Sequence, residues 1–95
     1  MFPAMNFECD PAKSQGNLAK HGLTLEAASA LWTLPGVEAD LGVVNGEVRY
    51  VRLAPLGGVI HLAVFTFRSG PAIRLISARQ ATAKEIAIYE SNRKK

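Results

Sequence analysis

Arg68, Arg74 and Arg79 fall in one short stretch of the chain, on two segments that read as neighbouring strands and the run into a final helix. A guanidinium is planar, permanently charged and able to donate two parallel hydrogen bonds, the geometry that a phosphate or carboxylate demands. Two of them brought together make a clamp for a phosphodiester. In an unbroken strand Arg74 and Arg79, an odd number of residues apart, face opposite sides of a sheet. Their convergence therefore requires the strand to end or bulge near Ser77. The alternative places one arginine on the solvated face and pairs another with Glu85 or Glu90, as is common for isolated arginines.

A second group is Lys20 and His21 followed by Gly22. The pair sits where a helix should end, so the macrodipole favours the cations, and the imidazole can hold a proton near neutral pH. Simple C-terminal capping accounts for them equally well. His61 lies within the most apolar strand and reads as a core or edge residue. Cys9 has no adjacent base and reads as a small hydrophobe rather than a nucleophile. With two histidines, one cysteine and no carboxylate cluster at ligand spacing, no metal site is expected. No glycine-rich phosphate loop precedes a helix, so no cofactor is expected either.

The elements that must position these groups follow from local signals. Phe7 to Cys9 reads as a short strand. Asp10 and Pro11 open a helix to about His21, with Gly22 in the left-handed closing position. Thr24 caps a second helix whose apolar stripe is Leu25, Ala28, Leu31 and Trp32, ended by Pro35 and Gly36. The period then changes to two: strands at Val37–Val44 and Glu47–Ala54 flank the hairpin signal Asn45–Gly46. Pro55–Gly58 forms the next turn, Val59–Arg68 a strand apolar on both faces, Ser69–Pro71 a turn, and Ala72–Ser77 the last strand. Thr82 and Glu85 make a capping box for a helix to about Asn92. The expected class is α+β, order β-α-α-β-β-β-β-α, with helices on one face of a mostly antiparallel sheet.

The chain of 95 residues is a single domain, with Ser91–Lys95 expected to fray. At 48% apolar and 20% charged it is ordinary globular material. Its N-terminus does not resemble a secretory signal, and its longest apolar run is far short of the roughly 20 residues a membrane helix needs. A cytoplasmic location without membrane contact is expected. Charge is uneven: residues 1–47 hold two Lys or Arg against six Asp or Glu, and residues 48–95 hold nine against two. Such asymmetry suits a polyanionic partner. Side-chain chemistry by Arg, Lys, His and Glu on a basic sheet is compatible with RNA cleavage, in which the 2′-hydroxyl serves as nucleophile and the enzyme supplies a base, an acid and cations.

The set formed by Phe7–Pro11, Lys13, Asn17, Lys20–Gly22, Leu25–Ala28, Gly46, Glu47, Arg49, Thr66, Arg68, Ile73–Arg79, Ala81, Glu85 and Tyr89 resembles the BrnT family. Cys9 stands where that family usually has tryptophan. The resemblance implies a toxin of a bacterial type II toxin–antitoxin pair, with a fold similar to the RelE ribonucleases. It implies an endoribonuclease acting on RNA, free or on the ribosome. The implied partner is a BrnA-like antitoxin with a ribbon-helix-helix domain, through which alone operator DNA is contacted. Carried over by position, Lys20, Arg68, Arg74 and Arg79 are candidates for phosphate binding and transition-state stabilisation, and His21 and Glu85 for proton transfer, with a role only as the capping-box partner of Thr82 the alternative for Glu85. Arg49, Lys84 and Tyr89 are candidates for RNA binding, with antitoxin binding an alternative for Arg49 and packing an alternative for Tyr89. The competing reading is a catalytically inactive module that binds antitoxin or nucleic acid only.

Overall fold

Five strands in the order β1-β5-β4-β3-β2 carry the fold. In chain order the elements are β1 (Phe7–Glu8), α1 (Pro11–His21), α2 (Leu25–Ala28) running into a 3₁₀ segment (Ser29–Thr33), β2 (Val37–Val44), β3 (Glu47–Leu56), β4 (Val59–Arg68), β5 (Ala72–Gln80) and α3 (Ala83–Arg93). The structure, a computed structural model, describes residues 6–68 and 72–93. The expected turn at Ser69–Pro71 and the last two lysines lie outside the described residues. β1 pairs with β5 in parallel, and every other neighbouring pair is antiparallel. The class is α+β.

Local hydrogen bonds explain the helix boundaries. The Asp10 carboxylate accepts from the Ala12 amide at 2.8 Å, and Gly22, at φ 73°, donates its amide to the Leu18 carbonyl at 2.8 Å. Thr24 Oγ1 accepts from the Ala27 amide at 3.0 Å and opens α2. The second helix differs from expectation by tightening to 3₁₀ after one turn. Ser29 and Thr33 donate their hydroxyls to the carbonyls three residues back, Glu26 and Ala30, each at 2.7 Å, which favours the narrower winding. Leu25, Ala28 and Leu31 remain buried through the change.

Asn45 and Gly46 both take positive φ, 52° and 75°, as a two-residue hairpin turn requires. The next turn is shorter than expected: Gly57 and Gly58 make it alone, and Pro55 and Leu56 belong to β3, opposite Ile60 and Val59. Pro55 is tolerated because its missing N–H is directed to the side where β2 has already ended, β2 starting with Val37 opposite Leu53. β1 is one residue shorter than expected, β5 runs on to Gln80, and α3 reaches Arg93, one residue past the expected Asn92.

The sheet is covered on both faces, a correction to the expectation of one. Leu25, Ala28 and Leu31 pack on Ala54, Ala63, Phe65, Ile73, Leu75 and Ala78. On the other face Tyr89 of α3 packs with Leu53 and Leu62. Adjacent residues of one strand feed opposite cores, which is why β4 is apolar throughout. Trp32 meets Phe7 and Phe65 edge-on, at centroid distances of 5.3 and 5.0 Å.

Candidate active site

The sheet register answers the geometric demand made by the two arginines of β5. Phe65 pairs with Leu75 but Val64 pairs with Ser77, so Ile76 is an extra residue, a β-bulge. Before the bulge Arg74 stands opposite Thr66, and after it Arg79 stands opposite Leu62. Thr66, Val64 and Leu62 alternate along β4 and share a face, so Arg74, Ser77 and Arg79 share it too. Val51 opposite Val64 and Leu53 opposite Leu62 add Arg49 to the same face. It is the face on which α3 packs.

Arg79 is held in a two-point ion pair. Its Nη1 and Nη2 donate to Oε1 and Oε2 of Glu85 at 2.7 and 2.8 Å, and Nη1 also reaches the Gln80 carbonyl at 3.2 Å. Glu85 closes the capping box as well, accepting from the Thr82 amide at 2.9 Å while its own amide donates to Thr82 Oγ1 at 3.2 Å. The Arg79 hydrogen bonds hold the Glu85 carboxyl down at about 2, and those same bonds push the arginine upward. A carboxylate this weakly basic, with its oxygens already engaged, is suited to fixing a guanidinium rather than to taking a proton. Of the two readings of Glu85, proton transfer and capping, this geometry displays the capping contacts.

Lys20 and His21 are exposed in the last turn of α1. Together with Lys13, Gly16, Asn17, Ile76 and Ser77 they line a cleft of about 310 Å³ between α1 and the bulged part of β5. Ser77 thus belongs both to this cleft and to the face that carries Arg74 and Arg79. Buried Asn17 holds the two elements together. Its Nδ2 donates to the Leu23 and Ala78 carbonyls at 2.7 and 2.8 Å, and its Oδ1 accepts from the Ala78 amide at 3.0 Å.

The remaining expected residues are more scattered. Among the described residues Arg74 makes only a long contact with Glu8, 3.5 Å, and is partly exposed. Arg49 Nε is 3.2 Å from Glu47 Oε1. The Arg68 backbone pairs with Ala72, and its side chain lies outside the described residues. Lys84 is exposed in the first turn of α3. Tyr89 is buried, its ring packs with Leu53 and Leu62, and its hydroxyl donates to the Pro35 carbonyl at 3.4 Å. Of the two readings of Tyr89, RNA binding and packing, this geometry displays the packing.

Three groups went unassigned in the sequence reading. Asn17 is one. Ser14 and Glu26 are the others: Ser14 Oγ donates a short hydrogen bond to the Glu26 carboxylate and accepts from the Leu25 amide at 3.0 Å, tying α1 to α2. That bond lowers the Glu26 pKa, and burial, reinforced by Glu26, raises the Cys9 thiol. A polar Ser and Asn one helical turn apart, in place of the apolar stripe that α1 lacks, was the available signal.

A family model described as "Ribonuclease toxin, BrnT, of type II toxin-antitoxin system" matches residues 9–85. No curated protein matches. Among solved structures, a 1.1 Å crystal structure of the Brucella abortus ribonuclease toxin BrnT superposes with a TM-score of 0.65 at 24% identity, covering 83% of this chain and 99% of that one. It has the same fold. With four-fifths of its length matched by the family model, the chain belongs to the BrnT family of ribonuclease toxins of type II toxin–antitoxin systems.

Proposed function

We propose that this chain is an endoribonuclease toxin that cleaves RNA by internal attack of a ribose 2′-hydroxyl, with side chains as its only acids, bases and electrostatic stabilisers. The observation that carries this reading is the Ile76 bulge, which sets Arg74, Ser77 and Arg79 on one face beside the cleft of Lys20 and His21. The 2′-oxygen bonds to phosphorus and the bond to the 5′-oxygen breaks, leaving a 2′,3′-cyclic phosphate and a 5′-hydroxyl. A base removes the 2′-proton and an acid protonates the departing oxygen, and His21 is the side chain here suited to either task near neutral pH. Lys20 and Arg74 meet the growing charge on the phosphate oxygens. Arg79 has both Nη atoms on Glu85, so the pair is neutral overall and its part is to fix the end of β5 against α3. Arg49 and Lys84 guide the RNA backbone, and Arg68 is carried over from the resemblance for phosphate.

A BrnA-like antitoxin with a ribbon-helix-helix domain neutralises the toxin in the cytoplasm by covering this basic face. Operator DNA is contacted through that antitoxin alone. The support is the family membership together with the charge asymmetry of the chain.

The test is induced expression of the wild type beside a Lys20→Ala, Arg74→Ala double variant at equal soluble levels, with growth followed and RNA ends mapped. Growth arrest and new 5′-hydroxyl ends from the wild type alone, with purified protein still cleaving in EDTA, are expected. RNA binding without new ends would replace this reading with the binding-only module. Cleavage abolished by EDTA would overturn the side-chain mechanism.

A further inference from the structure

Among the described residues β1 covers the outer edge of β5 only at Ile73 and Arg74, and the strand beyond them presents backbone donors and acceptors with no neighbouring strand. Asn17 completes the edge at one residue. A primary amide offers a donor and an acceptor side by side, as a peptide group does, and Asn17 uses both on Ala78 while a second donor bond takes the Leu23 carbonyl. Asn17 is buried to 6% exposure, so these bonds are made away from water, where their loss leaves unpaired polar groups.

What this clamp joins is the point. Lys20 and His21 lie three and four residues beyond Asn17, on the same side of α1. Ala78 lies between Ser77 and Arg79, immediately after the bulge. The described residues show no ion pair between α1 and β5. From this we infer that Asn17 is a positioning residue for the reaction: it sets the height and rotation of the Lys20–His21 turn against the bulged strand that carries Ser77 and Arg79. The inference rests on the ribonuclease reading above.

A displacement of about 1 Å in reacting groups costs up to roughly a hundredfold in rate. The experiment measures kcat and KM for cleavage of a fluorogenic mixed-sequence oligoribonucleotide by wild type, Asn17→Ala, Lys20→Ala and the double variant, each shown to be folded by circular dichroism at the assay temperature. Asn17→Ala is expected to lower kcat roughly 10- to 100-fold with KM changed less than about threefold. In the Lys20→Ala background the same change should cost less, because one of the two groups it positions is gone. If Asn17→Ala does not fold, Asn17→Asp, which keeps the acceptor for the Ala78 amide and loses both donors, is measured in its place. Unchanged kcat in the folded variant, or losses that simply multiply in the double variant, would overturn the inference while leaving the ribonuclease reading intact. A wild type that cleaves no RNA would instead overturn that reading and this inference with it.

Discussion

Arg79 and Glu85 are joined at two points, 2.7 and 2.8 Å, although one belongs to the end of a strand and the other to the first turn of the following helix. The pair links the sheet face to α3 and consumes the fork that would otherwise grip a phosphate. Its stability contribution depends on pH in a definite direction. The Glu85 carboxyl titrates at about 2 in the folded chain against an ordinary 4.5, so its ionised form favours folding above pH 4.5 and that advantage fades as pH falls towards 2. Because Arg79 is partly exposed, solvent screening holds the effect to about 1–2 kcal/mol. Glu85→Gln should therefore be less stable than wild type by that amount in urea at pH 7, with the difference shrinking on acidification below pH 4.5. A constant difference from pH 7 to 2.5 would show that the ion pair is not its source.

Among the described residues Arg74 is held only by the long contact to Glu8, and of the sheet-face arginines Arg49, Arg74 and Arg79 it has the longest ion-pair contact. Each phosphate contact on a single strand contributes about 0.7 to the salt slope of binding. Arg74→Ala should weaken RNA binding and make that slope shallower by about this amount, as read by fluorescence anisotropy across a salt series. An unchanged slope would remove Arg74 from the phosphate contacts.

Arg52 looks equally basic in the sequence but works inside the fold. It donates to the Leu31 and Leu34 carbonyls at 2.9 Å each and to Glu38 at 2.8 Å, and its guanidinium lies 5.6 Å from the Trp32 ring centre. Gly36 leaves room for it, since a Cβ there would come within 2.9 Å of the guanidinium carbon. Arg52→Ala should cost about 2–3 kcal/mol in chemical denaturation. Arg52→Lys should recover little, because an ammonium cannot span the three acceptors. Neither change should alter the salt slope of RNA binding.

Tyr89 anchors α3 by its ring more than by its hydroxyl, whose bond to Pro35 is 3.4 Å long. Tyr89→Phe should cost less than about 1 kcal/mol, and Tyr89→Ala about 3–4 kcal/mol through the cavity it leaves. The comparison is made by thermal melting of the purified variants. Equal losses for both would mean that the hydroxyl carries the anchor.

Much of this architecture is legible in the residues themselves. The caps at Asp10, Gly22, Thr24 and Thr82, the Asn45–Gly46 turn and the period-two strands all depend on hydrogen bonds and steric preferences closed within a few residues, which a sequence displays directly. The 3₁₀ winding at Ser29–Thr33 was not legible, because a local pattern of Ser and Thr was set against an apolar stripe that fits a regular helix equally well. Pro55 misled for a related reason: proline signals a turn unless its missing donor meets no neighbour, and that depends on where β2 ends.

The candidate site was legible as a set of residues rather than as an arrangement. Uneven charge, the Lys20–His21 turn and the arginines of the second half suggested a phosphate-facing surface, and the odd spacing of Arg74 and Arg79 meant that their convergence required the strand to end or bulge near Ser77. Whether the strand would bulge, that Ile76 would be the extra residue, that Asn17 would clasp Ala78 and that Glu85 would turn to Arg79 were decided by tertiary structure. Each joins segments whose spacing is set by the register of β5 on β4 and by the seating of a helix, and such alignments are chosen by the packing of whole elements rather than by the residues at the contact.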